Sequence, residues 1–168
     1  MKSALVSIII PCYNAENYIK KTIDSVLCQT YQNFEILIMD DASTDDTYKI
    51  CNNIASKSNK IKIYRNSNNI GLTKSLNLLI KESKAELIAR SDADDYSKTN
   101  RFELQLDYLI KNNLDACSTR AYEIDSKRII PGFSYYVPIE ILIKYKNPFV
   151  HGTLLIKRNV LDSVNLYD

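Results

Sequence analysis

The chain is poor in glycine, holding only Gly71, Gly132 and Gly152. Neither GxGxxG nor GxxxxGK[ST] occurs, which excludes the two glycine-rich ways of cradling a phosphate with backbone N–H groups. Histidine is scarcer still, with His151 alone. The four cysteines, Cys12, Cys28, Cys51 and Cys117, lie far apart and form no CxxC pair. That supply disfavours zinc-type ligation and reads as free, mostly buried thiols in a reducing compartment. Apolar runs extend only a few residues, against the ~20 that a spanning helix needs. The opening MKSALVSIIIPCYNAEN turns polar too soon for a secretory signal and has no small-residue cleavage pattern. Charge of one sign is missing as well. With 22 basic and 20 acidic residues the net charge is +2, and no basic stripe marks a nucleic-acid binder.

What is present suffices for one compact domain with a real core: 168 residues, 45% of them hydrophobic. Strand and helix patterns alternate. LVSIII, closed by Pro11, reads as a buried strand, and so do FEILIMD, IKIYR and ELIAR. Between them, Ile19, Ile23, Val26 and Leu27 recur at helical spacing, as do Leu72, Leu76, Leu79 and Ile80. STDDTYKICNNIASK reads as a helix with Ser43 or Thr44 as N-cap and acids in its first turn. TNRFELQLDYLIKNN is a fourth helix with Phe102, Leu106, Leu109 and Ile110 inward. After Ala116 the rhythm loosens. ACSTRAYEID reads as one further strand, Pro131-Gly132 as a turn, IEILIKYK as a short helix and GTLLIKR as a last strand. Fourfold strand–helix alternation predicts an α/β fold, a Rossmann-like, mostly parallel sheet flanked by helices on both faces.

Ligands of such sheets gather outside the carboxyl ends of the strands. Four loops meet that condition, at residues 11–16, 40–46, 66–74 and 91–96. Two of them are acid-rich, and their acids are expected to converge on one rim. In LIARSDADDYS, Asp92, Asp94 and Asp95 crowd three carboxylates into four positions. A solvated turn that caps the next helix is one reading. The other is a cation site, in which Asp92 and Asp94 straddle Ala93 and aim at one ligand. Hard oxygen donors favour Mg²⁺ or Mn²⁺ in a loose site completed by the phosphates of a nucleotide. An EF-hand loop starting at Asp92 is excluded, because Ser97 stands at its sixth position, where the sharp turn needs glycine.

VSIIIPCYNAENYIKKTIDSVLCQTYQNFEILIMDDASTDDT resembles the opening of family 2 glycosyltransferases with the GT-A fold. NNIGLTKSLN, LIARSDADD and NPFVHGTLLIKRNVL follow in the family's order and spacing, so the resemblance covers nearly the whole chain. It implies a metal-dependent, inverting enzyme that moves a sugar from a nucleotide-diphosphate donor, usually a UDP-sugar, to a glycan or lipid-linked glycan acceptor. Carried over by position, Pro11 and Tyr13 lie against the base, Tyr13 by stacking. Asp41 accepts from the base N–H, and Lys74 approaches the base or the diphosphate. Asp92 faces the ribose, Asp94 binds the Mn²⁺ or Mg²⁺ that bridges the phosphates, and Asp95 lies beside the sugar. His151 falls in the acceptor-side segment, where a hydrogen-bonded structural role is the competing reading. Arg90 and Arg101 flank the acid cluster, and pairing with its carboxylates or with phosphate both stand open.

The resemblance further implies a single GT-A domain over 1–168, with a nucleotide-binding part over 1–115 and the start of the acceptor-side part over 116–168. The family's catalytic base, a carboxylate, follows HGTLLIKR by a few tens of residues. Asp168 comes too early to be it, so the base is expected beyond residue 168. Polysaccharide biosynthesis in the cytoplasm, including the cytoplasmic face of a membrane by peripheral contact, is the expected setting. Two alternatives remain: a non-catalytic nucleotide-sugar-binding module on the same fold, and a sugar nucleotidyltransferase. PCYNAENY lacks the glycine-rich, basic loop that the latter needs after its first strand.

Overall fold

The computed structural model of the chain describes residues 4–145 and 147–167. Asp168 and the first three residues, part of the leader reading above, lie outside the described residues. β-Branched runs form the centre of a six-stranded sheet. β1 (Val6–Cys12) pairs in parallel with β2 (Phe34–Asp40) on one side and β4 (Leu87–Arg90) on the other, and β3 (Ile61–Arg65) extends the β2 edge in parallel. Beyond β4 the sheet continues with β8 (Leu155–Lys157), antiparallel, and then β5 (Ala116–Cys117), giving the order β3-β2-β1-β4-β8-β5.

Alternation along β1 sorts its side chains into two cores. Ile8 and Ile10 face α1 (Ile19–Leu27), α2 (Thr47–Ala55) and α4 (Arg101–Lys111), through Ile23, Cys51 and Phe102. Ile9 faces α3 (Leu72–Glu82) and α6 (Arg158–Ser163), through Leu76, Leu79 and Leu161. The sheet is thus covered on both faces, as the sequence predicts. Cys12, Cys51 and Cys117 are buried, Cys28 is exposed, and all four are free thiols. No helix among the described residues is long and apolar enough to cross a membrane.

Several local expectations are corrected. Pro11 does not close β1, which runs on to Cys12. The Ile9 carbonyl accepts from Ser91 N at 3.1 Å, so Ile9, and Pro11 two residues on, face the β4 side. β4 pairing ends at Arg90 opposite Ile9, so the missing N–H of Pro11 costs no ladder bond. Neither Ser43 nor Thr44 caps α2, and no acid lies in its first turn; the cap position falls on Asp46. Leu72 is 51% exposed, because the first turn of α3 starts at the rim of the sheet rather than over it. Ile110 is 54% exposed. At 3.6 residues per turn it sits roughly 80° round from Phe102, where Leu109 sits only about 20° away.

The chain after α4 departs furthest. ACSTRAYEID is not one strand. β5 joins the main sheet, while β6 (Ala121–Glu123) pairs with an unforeseen β7 (Arg128–Ile130) in a separate hairpin. A 3-10 turn, Phe133–Tyr136, and the single-turn α5 (Ile139–Leu142) follow, and α6 was not foreseen either. The central layers leave little room for change. Phe102 is fully buried between α4 and the sheet, so Phe102→Ala is expected to lower unfolding free energy by ~3–5 kcal/mol in urea denaturation.

Candidate functional site

Strand order reverses at β1: β2 and β3 lie on one side of it, and β4 on the other. The loops after β1 and β4 therefore flank a topological switch point, where open α/β sheets bind ligands. The structure places Tyr13, Asp92, Asp94 and Asp95 on these two loops, and Pro11 near the end of β1, before the first of them.

The β1 loop is a stapled platform. Asn14 takes a positive φ of 47°, a conformation that asparagine tolerates better than most residues. Its N–H donates to Ser43 Oγ at 3.0 Å, and its Oδ1 accepts from Thr44 N at 2.9 Å. Ala15 N donates to Thr47 Oγ1 at 2.7 Å, and Asp46 N donates to Glu16 Oε2 at 2.9 Å. These bonds lock the β1 and β2 loops together and leave Tyr13 standing 49% exposed at the crevice.

The acids after β2 are spent on structure. Asp40 is fully buried; its Oδ2 pairs with Arg65 Nε at 3.1 Å, while its Oδ1 is buried with no hydrogen-bond partner among the described residues. Asp45 accepts from Thr47 N and Glu16 N. Asp41 accepts from Asn66 Nδ2 at 2.7 Å, Ile70 N at 2.9 Å and Gly71 N at 2.8 Å. Burial alone would raise its carboxyl, but the donors from Ile70, Asn66 and Gly71 outweigh that and hold it below the ordinary range. Asp41 thus ties down the start of α3, where Gly71 adopts φ +90°, and keeps only part of its acceptor capacity for a ligand. Lys74 lies exposed in the first turn of α3, with no hydrogen bond or ion pair among the described residues.

The turn after β4 is different. The Ala93 carbonyl accepts from Thr22 Oγ1 at 2.7 Å, Ser97 N donates to Ser25 Oγ at 3.1 Å, and Gln29 Nε2 donates to the Lys98 carbonyl at 2.8 Å. α1 therefore fixes the backbone of the turn. Its carboxylates have less support. Asp92 is held by buried Arg90, whose Nε and Nη2 donate at 2.7 and 3.2 Å. Arg101, also buried, donates to the Arg90 carbonyl at 2.7 Å and to Ser97 Oγ at 3.0 Å. Burial lowers its pKa to about 10, which leaves it charged at neutral pH. Arg90 thus pairs with a carboxylate of the cluster, while Arg101 lies behind it, bonded to a backbone carbonyl and neutral side chains. Asp94 is exposed and has no hydrogen bond or ion pair among the described residues. The Asp95 carboxyl is pushed up, first by loss of hydration and then by repulsion from Asp92 and Asp94.

The clamp on the far side could not be read from the sequence. A Cβ on Gly152 would stand 2.4 Å from Asp95 Oδ2 and 2.9 Å from Asp92 Oδ2. Both carboxylates thus lean on one glycine from the HGT segment, and their oxygens can be no further apart than those two distances combined. His151, the first residue of that 3-10 turn (His151–Thr153), is exposed and is hydrogen-bonded through Nε2 to Asn147 Nδ2. Tyr167 joins from below. Its backbone N–H and carbonyl bond the side chain of Asn77, at 3.0 and 2.8 Å, and its phenol lies beside Arg90 and Asp92.

The fit to a divalent cation can be tested on these donors. No three His, Cys, Asp or Glu side chains among the described residues converge to hold an ion alone. The two acid-rich loops share the carboxyl-end rim of the parallel strands, but the acids of the first are engaged mainly within the fold. What remains is one free carboxylate, Asp94, beside Asp92 and Asp95, with a single ion pair, from Arg90 to Asp92, among the three. This suits a hard cation that takes the rest of its oxygen ligands from a bound phosphate.

Comparison with known proteins was made against this geometry. The family model described as glycosyl transferase family 2 matches residues 7–164. Among curated relatives, the UDP-Glc:alpha-D-GlcNAc-diphosphoundecaprenol beta-1,3-glucosyltransferase WfgD of Escherichia coli is 38% identical over 133 residues, covering 79% of this chain and 51% of that protein. The chain spans about half the length of the curated relatives it matches. A crystal structure of S. aureus TarS 1–349 in complex with UDP-GlcNAc superposes with a TM-score of 0.82 at 24% identity, over 96% of this chain and 48% of that one. The mannosyltransferase PcManGT from Pyrobaculum calidifontis, in complex with GDP-Man and Mn²⁺, superposes with a TM-score of 0.76 at 18% identity, over 97% of this chain and 47% of that one. These two likenesses bear on the fold.

The strain at Asp95 has a measurable consequence. An acid whose folded pKa is raised destabilises the fold once pH exceeds its unfolded value, and fully so above the folded one. Asp95→Asn is therefore expected to raise the urea midpoint at pH 7, with the gain shrinking as pH falls to about 4. A gain that is independent of pH over that range would contradict the assignment.

Proposed function

This chain belongs to glycosyl transferase family 2 and has the GT-A fold, and from that premise we propose that it forms the donor-binding part of a metal-dependent, inverting glycosyltransferase that uses a UDP-sugar. The observation that carries the reading is the under-neutralised turn at Asp92–Asp95, set against the exposed Tyr13 across the switch point. Tyr13 stacks on the base beside Pro11. Asp41 offers its remaining acceptor capacity to the base N–H, and Lys74 approaches the base or the diphosphate from the start of α3. Asp94 is the principal cation ligand. Asp92, already bonded by Arg90, is the secondary one and faces the ribose. Bound Mn²⁺ or Mg²⁺ would supply positive charge to the diphosphate as it leaves. Asp95 lies on the donor-sugar side, where its carboxylate can accept from a sugar hydroxyl.

The acceptor is a glycan or a lipid-linked glycan, reached past His151, in line with the diphosphoundecaprenol-linked acceptor named for WfgD. Inversion in one displacement requires a base to remove the acceptor proton. In this reading the base is a carboxylate further along the family's chain than residue 168, with residues 1–115 serving the nucleotide and 116–168 beginning the acceptor side. A cytoplasmic setting, with peripheral contact to a membrane that carries the acceptor, follows from the same reading.

Calorimetric titration of the chain with UDP, with and without Mn²⁺, tests this. Binding is expected to require the cation, and Asp94→Ala is expected to weaken it at least about tenfold, or ~1.4 kcal/mol. Equal affinity without Mn²⁺, or no effect of Asp94→Ala, would count against the site.

A further inference from the structure

Beyond β5 the chain encloses a second concavity. Residues 118–120, 131–142 and 148–149 contribute to a cleft of about 180 Å³, lined by Ser118, Thr119, Arg120, Tyr135, Pro148 and Phe149 among others. That is below the ~300–1,000 Å³ of pockets for drug-sized ligands, so it suits a single sugar unit better than a nucleotide. Its one charged wall is unusual. The Arg120 guanidinium lies 4.8 Å from the centre of the Tyr135 ring. Its Nε is buried and has no hydrogen-bond partner among the described residues, and no carboxylate among them pairs with the guanidinium. Arg120 as a whole is half-buried, and arginine cannot relieve an unpaired donor by losing its proton. The aromatic faces of Tyr135 and Phe149 beside it offer flat apolar surface of the kind that a sugar ring covers.

The cleft is also joined to the donor site. Thr119 N donates to Thr153 Oγ1 at 3.0 Å, and that hydroxyl donates back to the Thr119 carbonyl at 3.0 Å. Thr153 follows Gly152, on which Asp92 and Asp95 rest. One continuous path therefore runs from the carboxylate on the donor-sugar side, through Gly152 and Thr153, to Thr119 and Arg120.

We propose that this cleft is the acceptor subsite and that it takes a saccharide bearing a phosphate, with the sugar against Tyr135 and Phe149 and the phosphate on Arg120. The assignment rests on the donor reading above for its role, but not for its ligand chemistry. In the donor reading the diphosphate sits at the Asp92–Asp95 turn, so a phosphate on Arg120 belongs to the acceptor.

The test is titration of the isotope-labelled chain by amide NMR with α-glucose 1-phosphate, methyl α-glucoside and inorganic phosphate. Glucose 1-phosphate is expected to shift amides at 118–120 and 149–150, and to bind at least tenfold more tightly than either fragment. Arg120→Gln should weaken it at least tenfold, and Arg120→Lys less. Tyr135→Leu, which keeps the charge and removes the ring, should weaken it by a few-fold. Asp94→Ala should leave it unchanged, and a parallel UDP and Mn²⁺ titration reports the donor site separately, so either reading can fail alone. Spectral dispersion shows that each variant is folded. The proposal is overturned by the absence of saturable shifts at 118–120, by unchanged affinity in folded Arg120→Gln, by shifts confined to residues 11–13 and 91–95, or by methyl glucoside or phosphate binding as tightly as glucose 1-phosphate.

Discussion

Two carboxylates ~5 Å apart repel by roughly 3 kcal/mol at an effective dielectric constant of ~20, and the turn after β4 holds Asp92 and Asp95 at no more than about that separation, with Asp94 between them. A fold tolerates such crowding only if something beneath offsets it. Here Arg90 forks onto Asp92, and Arg101 lies buried behind it, bonded to the Arg90 carbonyl. Burying one arginine costs hydration, and burying two costs more, so this packing is expensive unless the acids above are present. The compensation is incomplete, since Asp95 stays raised and Asp94 stays free. A site poised in this way gains from an added cation in proportion to the repulsion that remains.

The neighbouring acidic loop shows how little composition alone decides. Residues 40–46 hold as many carboxylates as the turn at 92–95 and more. Yet Asp40 is neutralised by Arg65, Asp41 by three donors from the loop after β3, and Asp45 by backbone N–H groups. The Asp45 bonds are part of the platform on which Tyr13 stands. One loop spends its charge on rigidity, and the other keeps charge available beside it. Recognition of a nucleotide diphosphate needs both, because a stacking surface without a fixed distance to the cation positions nothing.

The central layers could be read in the sequence, because their strands are short, nearly continuous apolar runs and their helices repeat apolar residues at 3.6-residue spacing. FEILIMD and IKIYR became β2 and β3 at their expected bounds. The region after Ala116 could not. Its strands are two or three residues long and its pairings are non-local: β5 pairs with β8 about forty residues on, and nothing local fixes that register. The acid turn itself was visible as charge where a strand should end. Its supports were not. That Arg90 pairs with Asp92 depends on the bend at the strand end, and the contact of Gly152 with Asp92 and Asp95 joins residues some sixty apart. The signal that could have suggested it is glycine scarcity: one of only three glycines in the chain stands in the HGT segment, where a side chain would collide with the acids.

Beyond the core, Phe133 is 85% exposed, and Tyr136, Ile141 and Tyr145 are exposed as well, so the acceptor-side segment is far less well packed than the sheet. The proposed function divides along the same line, with the donor on the packed sheet and the acceptor on the looser segment. The central claim is that the cation is shared between the acid turn and a nucleotide diphosphate. Paramagnetic broadening of amide signals by substoichiometric Mn²⁺, recorded with and without UDP, tests it most directly. The account predicts that UDP draws the broadening onto residues 91–96, Gly152 and Tyr13. Broadening centred elsewhere, or the same at the acid turn whether or not UDP is present, would contradict it.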